Sequence, residues 1–174
     1  MRYTHAVWFL TLSILSTSMA FAHPGHEAGH LSAFFHPFSG TDHFLVAFTV
    51  GMMMSRVNLG KEFVPLSFII GMLLGFFAGA SQFEVSFMET GIVLSLCISI
   101  ALLMSTTTVS MYLGIPLFLL FGFFHGNAHG LELPGESLRV MAFQLSLSTF
   151  IIHMLGYGLV VLVRNSQTPT LKVR

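Results

Sequence analysis

The sequence has few charged residues and only one cysteine, and both shortages limit the functions that the chain can have. Only 8% of its 174 residues are charged, against about 25% in an average soluble domain. So few charges could not cover the surface of a soluble domain, which excludes a soluble enzyme and a disordered chain. Seven basic side chains balance seven acidic ones, so the chain has no excess of positive charge with which to bind nucleic acid. With Cys97 as its sole cysteine, the chain can build neither a disulfide framework nor a thiolate metal cage.

Apolar residues and histidine are what the sequence has in excess. Hydrophobic residues make up 54% of the chain, and the mean hydropathy is +0.82. Nine histidines are an unusual number for so apolar a chain. No Walker motif is present, so we do not expect this chain to hydrolyse ATP. The composition predicts a small integral membrane protein whose function lies at its histidines.

The N-terminus has the pattern of a secretory signal peptide. Arg2 begins a charged segment, Ala6–Leu15 are mostly apolar, and Ala20–Ala22 form an A-x-A cleavage site. Ten such residues are too few to span about 30 Å of hydrocarbon. We therefore predict that residues 1–22 are cleaved and that His23 begins a periplasmic N-terminus. The alternative is an uncleaved anchor, which would add one helix.

Long apolar stretches follow the signal peptide and predict an all-α integral membrane bundle. We expect residues 23–174 to form a single membrane domain with a His-rich periplasmic start at 23–36. Most of the stretches are near the length of about 20 residues that a spanning helix needs, and the first is the shortest. The five predicted transmembrane helices lie at about 40–55, 63–80, 87–105, 111–129 and 138–163.

Lysine and arginine predict the orientation of these spans. Most of the basic residues lie in the first loop and after the last span: Arg56, Lys61, Arg164, Lys172 and Arg174. Because cytoplasmic segments are enriched in such residues, the first loop and the C-terminus should be cytoplasmic. We expect a multi-pass protein of the bacterial inner membrane, with lipid as its main partner and homo-oligomerisation as a further one.

Glycines recur at every fourth position in two of the predicted spans. They are Gly71, Gly75 and Gly79 in the second span, and Gly122, Gly126 and Gly130 in the fourth. Small residues at this spacing let transmembrane helices approach closely, so we interpret both stripes as packing faces.

Ionisable residues gather at the predicted periplasmic ends of the spans. Such side chains are energetically costly within a membrane and usually face a partner residue or an ion pathway. His125 and His129 are four residues apart and share one helix face, as two ligands of one divalent ion would. Asp42 and His43 diverge by about 100° on a helix, so only one of them can point at that ion. Packing by hydrogen-bonded histidines is the alternative to a metal site. The predicted metal ligands are His36, Asp42, His43, His125, His129 and Glu132.

Five further residues are candidates for metal binding or for support of the ligands. His23, His26 and His30 would form an external metal collector, or else a His-rich linker without a selected role. Glu89 opens the third span on the same membrane side. His153 lies deep in the fifth span, too far for direct ligation at the outer site, and is either a second station or a packing residue.

The donor atoms limit which metals and which activities fit. Imidazole and carboxylate without thiolate suit Ni²⁺, Co²⁺, Zn²⁺, Cu²⁺ or Fe²⁺ better than Cu⁺. Two histidines and a carboxylate are also the ligand types of a catalytic zinc site. However, the sequence lacks a His-Glu-x-x-His pattern, so a membrane metalloenzyme is the weaker alternative. A non-transporting metal-binding protein, including a bis-histidine haem protein, is another.

Two motifs resemble those of the HupE/UreJ family of small membrane proteins. They are His36-Pro37-x-x-Gly40-x-Asp42-His43 and Phe124-His125-Gly126-x-Ala128-His129-Gly130-x-Glu132. The resemblance covers almost the whole chain, and Glu89 and His153 are weaker matches. It implies a secondary permease for nickel or cobalt. Zn²⁺ and Cu²⁺ stay candidate ions from the donor atoms alone. From the residues alone, we predict only a periplasm-facing site for a divalent metal in a membrane bundle.

Overall fold

The computed structural model describes residues 32–57, 60–105, 108–132 and 137–167. Within these ranges the regular structure is entirely helical. The predicted signal peptide at 1–22 lies outside the described residues, as do His23, His26 and His30.

Six α-helices form the described part of the chain. Their bounds are α1 Ser32–Ser39, α2 Thr41–Met53, α3 Phe63–Ala80, α4 Met88–Met104, α5 Met111–Glu132 and α6 Leu138–Gln167. A 3-10 turn at Met54–Arg56 continues α2. The helices from α2 to α6 match the five predicted spans to within a few residues. The residues from Ser32 to Ser39 are helical, although the sequence analysis placed most of them in the His-rich start.

Among the described residues, three helices are long and apolar enough to cross a membrane. They are Phe63–Ala80, Met111–Glu132 and the part of α6 from Leu138 to Ser166. The apolar helix α4 has 17 residues and α2 has 13, both short of the length of about 20 residues that spans typically have. Membrane spanning by α2 and α4, and therefore the number of five, stays a prediction.

Helices α3 and α5 share the most extensive interface of the bundle. A Cβ at Gly71 would collide with the carbonyl of Leu119, and one at Gly126 would collide with the carbonyl of Met72. The same holds along both stripes, so glycine is needed at these positions for the backbones to touch. The stripes were predicted to be packing faces, and they pack against each other. Contacts advance in the same direction on both helices, so α3 and α5 are parallel.

Helices α2 and α6 pack closely in the antiparallel sense. A Cβ at Gly51 would collide with the carbonyl of His153, and one at Gly156 would collide with the carbonyl of Phe48. The core holds large apolar side chains such as Phe68. Many other large apolar side chains point outward, as lipid-facing residues do, because lipid rather than water solvates them.

The two ends of the bundle differ in charge. At one end, which we call the histidine end, α2 and α6 begin and α5 finishes. At the other end, the Val109 N–H donates to the Arg56 carbonyl, and Arg164 donates to the carbonyl of Ser55. Helices α2 to α6 therefore run alternately between the two ends. The far end carries Arg56, Lys61, Arg164 and one carboxylate, Glu62, whereas the histidine end carries Asp42, Glu84, Glu89, Glu132 and Arg139.

Candidate metal centre

A break between α1 and α2 brings two histidines into one site. Gly40 separates the helices with an extended backbone, φ −78° and ψ 109°. Its N–H donates to the carbonyl of His36 at 3.2 Å, and its carbonyl accepts from the N–H of Phe44 at 2.8 Å. Hydrogen bonding therefore continues across the break while the helix axis changes. As a result His36, from α1, and His43, from α2, face the end of α5.

Helix α5 supplies the other histidines and a carboxylate. It continues without interruption past Gly130 to Glu132. His125 and His129 are therefore one turn apart on the same face, roughly 6 Å along the axis. Glu132 is three residues further, where it extends the same face toward the end of the bundle.

His43 lies at the centre of what we call the histidine cluster, namely His36, His43, His125 and His129. The Nδ1 of His43 is 3.3 Å from the Nε2 of His129. The ring centre of His43 is 4.5 Å from that of His129, 5.2 Å from that of His125 and 6.3 Å from that of His36. Four imidazoles from three helices thus converge at one end of the bundle.

Two carboxylates flank the histidine cluster. The Oε2 of Glu132 lies 3.4 Å from the Nε2 of His36, and the Oδ2 of Asp42 lies 3.6 Å from the Nε2 of His43. Asp42 is mostly exposed and His43 is nearly buried, although their side-chain ends approach each other. Asp42 therefore lies beside His43, at the outer edge of the cluster.

One subset of these side chains already has the spacing of a chelating site. His36, His129 and Glu132 each offer a ligand atom, and the three atoms lie within 4.8 Å of one another. Two imidazole nitrogens and one carboxylate oxygen suit a divalent transition metal. Small side-chain rotations would bring these atoms to coordination distance of one ion.

The hydrogen bonds of His125 leave one of its nitrogens available as a ligand. Its Nδ1 lies 2.9 Å from the Phe121 carbonyl, which can only accept, so Nδ1 carries the hydrogen. The Nε2 of His125 is buried and has no hydrogen-bond partner among the described residues. An imidazole held in this way by its other nitrogen is typical of a metal ligand. The buried Nδ1 of His129 likewise lacks a partner within the described ranges.

Exposure falls steadily through the site. The side chain of Glu132 is 46% exposed and that of His36 is 26% exposed, against 12% for that of His43. His125 and His129 are each 2% exposed. The outer members can therefore exchange water for an ion, while the inner ones would hold that ion away from water.

Glu89 is not brought into this cluster. It is exposed in the first turn of α4, and no hydrogen bond or ion pair joins it to the histidines within the part of the chain that the structure describes. The helix approaches α5 through Gly91, where a Cβ would collide with the ring of Phe124. Glu89 itself is exposed, so its part as a ligand or as support for the ligands stays a prediction.

His153 is fully buried and lies apart from the outer cluster. Its Nδ1 is 2.6 Å from the Thr149 carbonyl, and its Nε2 has no partner among the described residues. The ring of Phe68 lies 5.1 Å from that of His153 and 5.4 Å from that of His125. The separation of His153 from the outer site agrees with the sequence analysis. The contacts of Phe68 with both histidines were missed, because one phenylalanine among nineteen has no distinguishing sequence signal.

Asn127 is a second residue that sequence reasoning missed. Its Nδ2 donates to the Phe83 carbonyl at 2.7 Å, and its Oδ1 accepts from the Val85 N–H at 3.1 Å. It thereby ties the loop between α3 and α4 to α5. The motif leaves this position open, so the available signal was only that a polar residue lies between the two histidines of an apolar helix.

The far end of the bundle contains an open cavity of about 370 Å³. Ser55, Lys61, Tyr157 and Arg164 are among the residues that line it. Lys61 Nζ donates to the Tyr157 hydroxyl at 2.9 Å, and this hydrogen bond raises the pKa of Lys61 above its ordinary value. Lys61 therefore keeps its charge at neutral pH.

Comparisons with known proteins agree with these observations. The family model described as HupE / UreJ protein matches residues 10–174. Protein HupE of Rhizobium leguminosarum bv. viciae is 35% identical over 160 residues, which cover 86% of this chain and 80% of that protein. No solved structure matches the chain significantly.

Proposed function

The chain belongs to the HupE/UreJ family, and from that premise we propose that it is a secondary permease that takes up Ni²⁺ or Co²⁺ across the bacterial inner membrane. The observation that carries this proposal is the convergence of His36, His43, His125 and His129 beside Glu132 in an apolar helical bundle. The metal is the cargo, and the protein carries it without chemical change.

The chemistry of the cluster supports a divalent cargo. An ion that leaves water for a low-dielectric interior loses its hydration energy, and this cost is large unless ligands and opposite charge replace the water. Neutral imidazoles would replace water ligands, and the Glu132 carboxylate would offset part of the charge. Such donors favour Ni²⁺ and Co²⁺ over Ca²⁺ or Mg²⁺, although Zn²⁺ and Cu²⁺ remain competitors.

The distribution of charge supports entry at the histidine end. Arg56, Lys61 and Arg164 lie at the far end, which the enrichment of basic residues in cytoplasmic segments assigns to the cytoplasm. The histidine end would then face the periplasm. Uptake would be driven by the membrane potential, worth about 2.3 kcal/mol per charge per 100 mV and twice that for a divalent ion.

The outer residues would serve as collectors rather than as main ligands. His23, His26 and His30 would capture the ion outside the membrane, and Asp42 would attract it toward His43. Glu89 would add negative charge to the same end of the bundle without binding the ion. These residues would deliver the ion to His36, His129 and Glu132, whose ligand atoms lie close together.

The test is uptake of radioactive Ni²⁺ by the purified full chain in proteoliposomes with an inside-negative potential. Unlabelled Co²⁺, Zn²⁺ and Cu²⁺ serve as competitors. We expect uptake in the wild type, competition by Co²⁺, and loss of uptake in the double variant His125→Ala/His129→Ala. Stoichiometric binding without uptake in the wild type would instead assign the protein a non-transporting accessory role.

A further inference from the structure

A buried phenylalanine separates the innermost histidine of the cluster from a deeper one. Phe68 is 1% exposed, and its ring contacts His125 from α5 and His153 from α6. The two ring-centre distances, 5.4 Å and 5.1 Å, are those of direct aromatic packing. Phe68 is thus in contact with both imidazoles at once.

His153 lies well inside the bundle. Its backbone packs against Gly51 of α2, eight residues beyond His43 and therefore about 12 Å deeper along that helix. Because α6 begins at the histidine end, its side chains lean back toward that end. The imidazole of His153 accordingly points toward Phe68 and the cluster.

The two histidines in contact with Phe68 are held in the same way. Each donates its Nδ1 hydrogen to the carbonyl four residues earlier, Phe121 for His125 and Thr149 for His153. Each therefore keeps a lone pair on Nε2, and both of these atoms are buried without a hydrogen-bond partner among the described residues. An unpaired polar atom in an apolar interior is costly, so each of these two atoms is better explained by a ligand that it binds in turn than by packing.

The cavity at the far end begins about one helical turn beyond His153. Tyr157, which lines that cavity, is four residues further along α6 and so lies on the same face as His153. Ser55 lines it too and is four residues beyond Gly51. An ion released by His153 would need to cross only this turn to reach an open space.

We propose that His153 is a second binding station on the ion path and that the Phe68 ring is the gate between it and His125. The ion passes from the cluster to the Nε2 of His153 when the ring swings aside, and then enters the far cavity. The ring otherwise keeps the two stations apart, so ions cross singly. This inference rests on the proposed uptake function and adds the inner half of the path to it.

The station is tested by replacing His153 in the full chain. In His153→Asn, the amide can keep the hydrogen bond to Thr149, but the donor at the Nε2 position is lost. We expect the initial rate of Ni²⁺ uptake to fall at least about tenfold, the lower end of the usual loss for an altered metal site. Equilibrium Ni²⁺ binding at the cluster should stay within about twofold of the wild type. A damaged set of ligands would lower the affinity by about tenfold or more.

His153→Gln separates a lost ligand from a damaged core. Its amide can place an oxygen near the former Nε2 position, so we expect part of the uptake rate to return. Wild-type rates in His153→Asn would overturn the second station, as would equal losses in both variants together with loss of Ni²⁺ binding. Absence of uptake in the wild type itself would refute the permease proposal, and this inference would fall with it.

The gate is tested with Phe68→Ala against Phe76→Ala. Phe76 is equally buried on the same helix and has no ring contact with a histidine among the described residues. We expect Phe68→Ala to raise the uptake rate per folded protein at saturating Ni²⁺ by about threefold, a change of under 1 kcal/mol in the barrier, and Phe76→Ala to leave it unchanged or lower. Equal effects of the two substitutions would show that Phe68 only packs.

Discussion

The Nδ1 of His43 lies 3.3 Å from the Nε2 of His129, and this contact joins helix α2 to the end of helix α5. The residues are 86 positions apart in the sequence. A proton or an ion on one imidazole therefore acts directly on the other. This contact joins two motifs that are separate in the sequence into one set of candidate ligands.

Removing one member of this pair should weaken metal binding. His129→Ala deletes an imidazole that also contacts His36 and belongs to the closest three-ligand group. We expect Ni²⁺ affinity of the purified chain to fall by about 10- to 100-fold, as for other alterations of a metal site. Isothermal titration calorimetry of the detergent-solubilised protein measures this change.

Cys97→Ala is the control for that substitution. Cys97 is exposed on α4 and is the only thiol in the chain. Unchanged affinity in this variant and reduced affinity in His129→Ala would agree with imidazole ligation. A loss in Cys97→Ala would contradict the donor set that we assign.

A second prediction concerns the charge of Glu132. Glu132→Gln keeps the size of the side chain but removes the negative charge that lies 3.4 Å from His36. Since a carboxylate offsets the charge of a desolvated ion, we expect the apparent KM for Ni²⁺ uptake to rise by about tenfold or more. Uptake rates over a range of Ni²⁺ concentrations give this constant.

Glu84→Gln is the matched substitution for this test. Glu84 is an exposed carboxylate at the same end of the bundle and makes no contact with the cluster in the part of the chain that the structure describes. It should leave the KM nearly unchanged. If both variants shift the KM equally, the general negative charge of this end, and not Glu132 as a ligand, attracts the ion.

The close packing of α3 on α5 should not tolerate a methyl group. In Gly126→Ala, the new Cβ would collide with the backbone carbonyl of Met72, which cannot rotate away. We expect a loss of about 1–3 kcal/mol in the free energy of unfolding, the usual cost of overpacking a core. Thermal unfolding in detergent reports it as a lower Tm.

Gly158→Ala is the corresponding control on α6, because a Cβ at this position would meet nothing within 4 Å. Alanine favours a helix over glycine by up to about 1 kcal/mol, so this variant should have an equal or higher Tm. Similar Tm values for the two alanine variants would mean that the interface of α3 and α5 can open to admit a methyl group.

Uptake should weaken in acid. A free imidazole has a pKa of about 6.5, and only its unprotonated form binds a metal ion. As the pH falls below about 6, protons compete with the ion for free imidazole, so the rate should fall. Uptake measured at pH 5 and pH 7.5 with the potential held constant checks this, and equal rates would argue against histidine ligation.

Much of this fold follows from patterns within single helices. Apolar stretches predicted the bounds of α3 and the starts of α5 and α6, because a span needs a continuous run of apolar side chains. The glycine spacing on α3 and α5 predicted close packing. The structure places a break before α2 at Gly40, which belongs to the first of the two motifs.

Relations between helices were harder to predict. The spacing of His125 and His129 follows from the geometry of α5 alone. Their approach to His36 and His43 depends on how α1 and α2 pack against α5. Phe68 and Asn127 gain their importance only from such contacts. For Glu89, the sequence placed the residue at the start of α4 but could not predict that its side chain is exposed.

The central claim is that imidazoles of the histidine cluster hold the ion, and X-ray absorption spectroscopy at the nickel edge tests it most directly. The sample is the full chain loaded with one equivalent of Ni²⁺, compared with His36→Ala/His129→Ala. We predict nitrogen and oxygen ligands with the outer scattering of at least two imidazole rings, and loss of that imidazole scattering in the variant. A spectrum of water oxygens alone, or the same imidazole signal in both proteins, would contradict the claim.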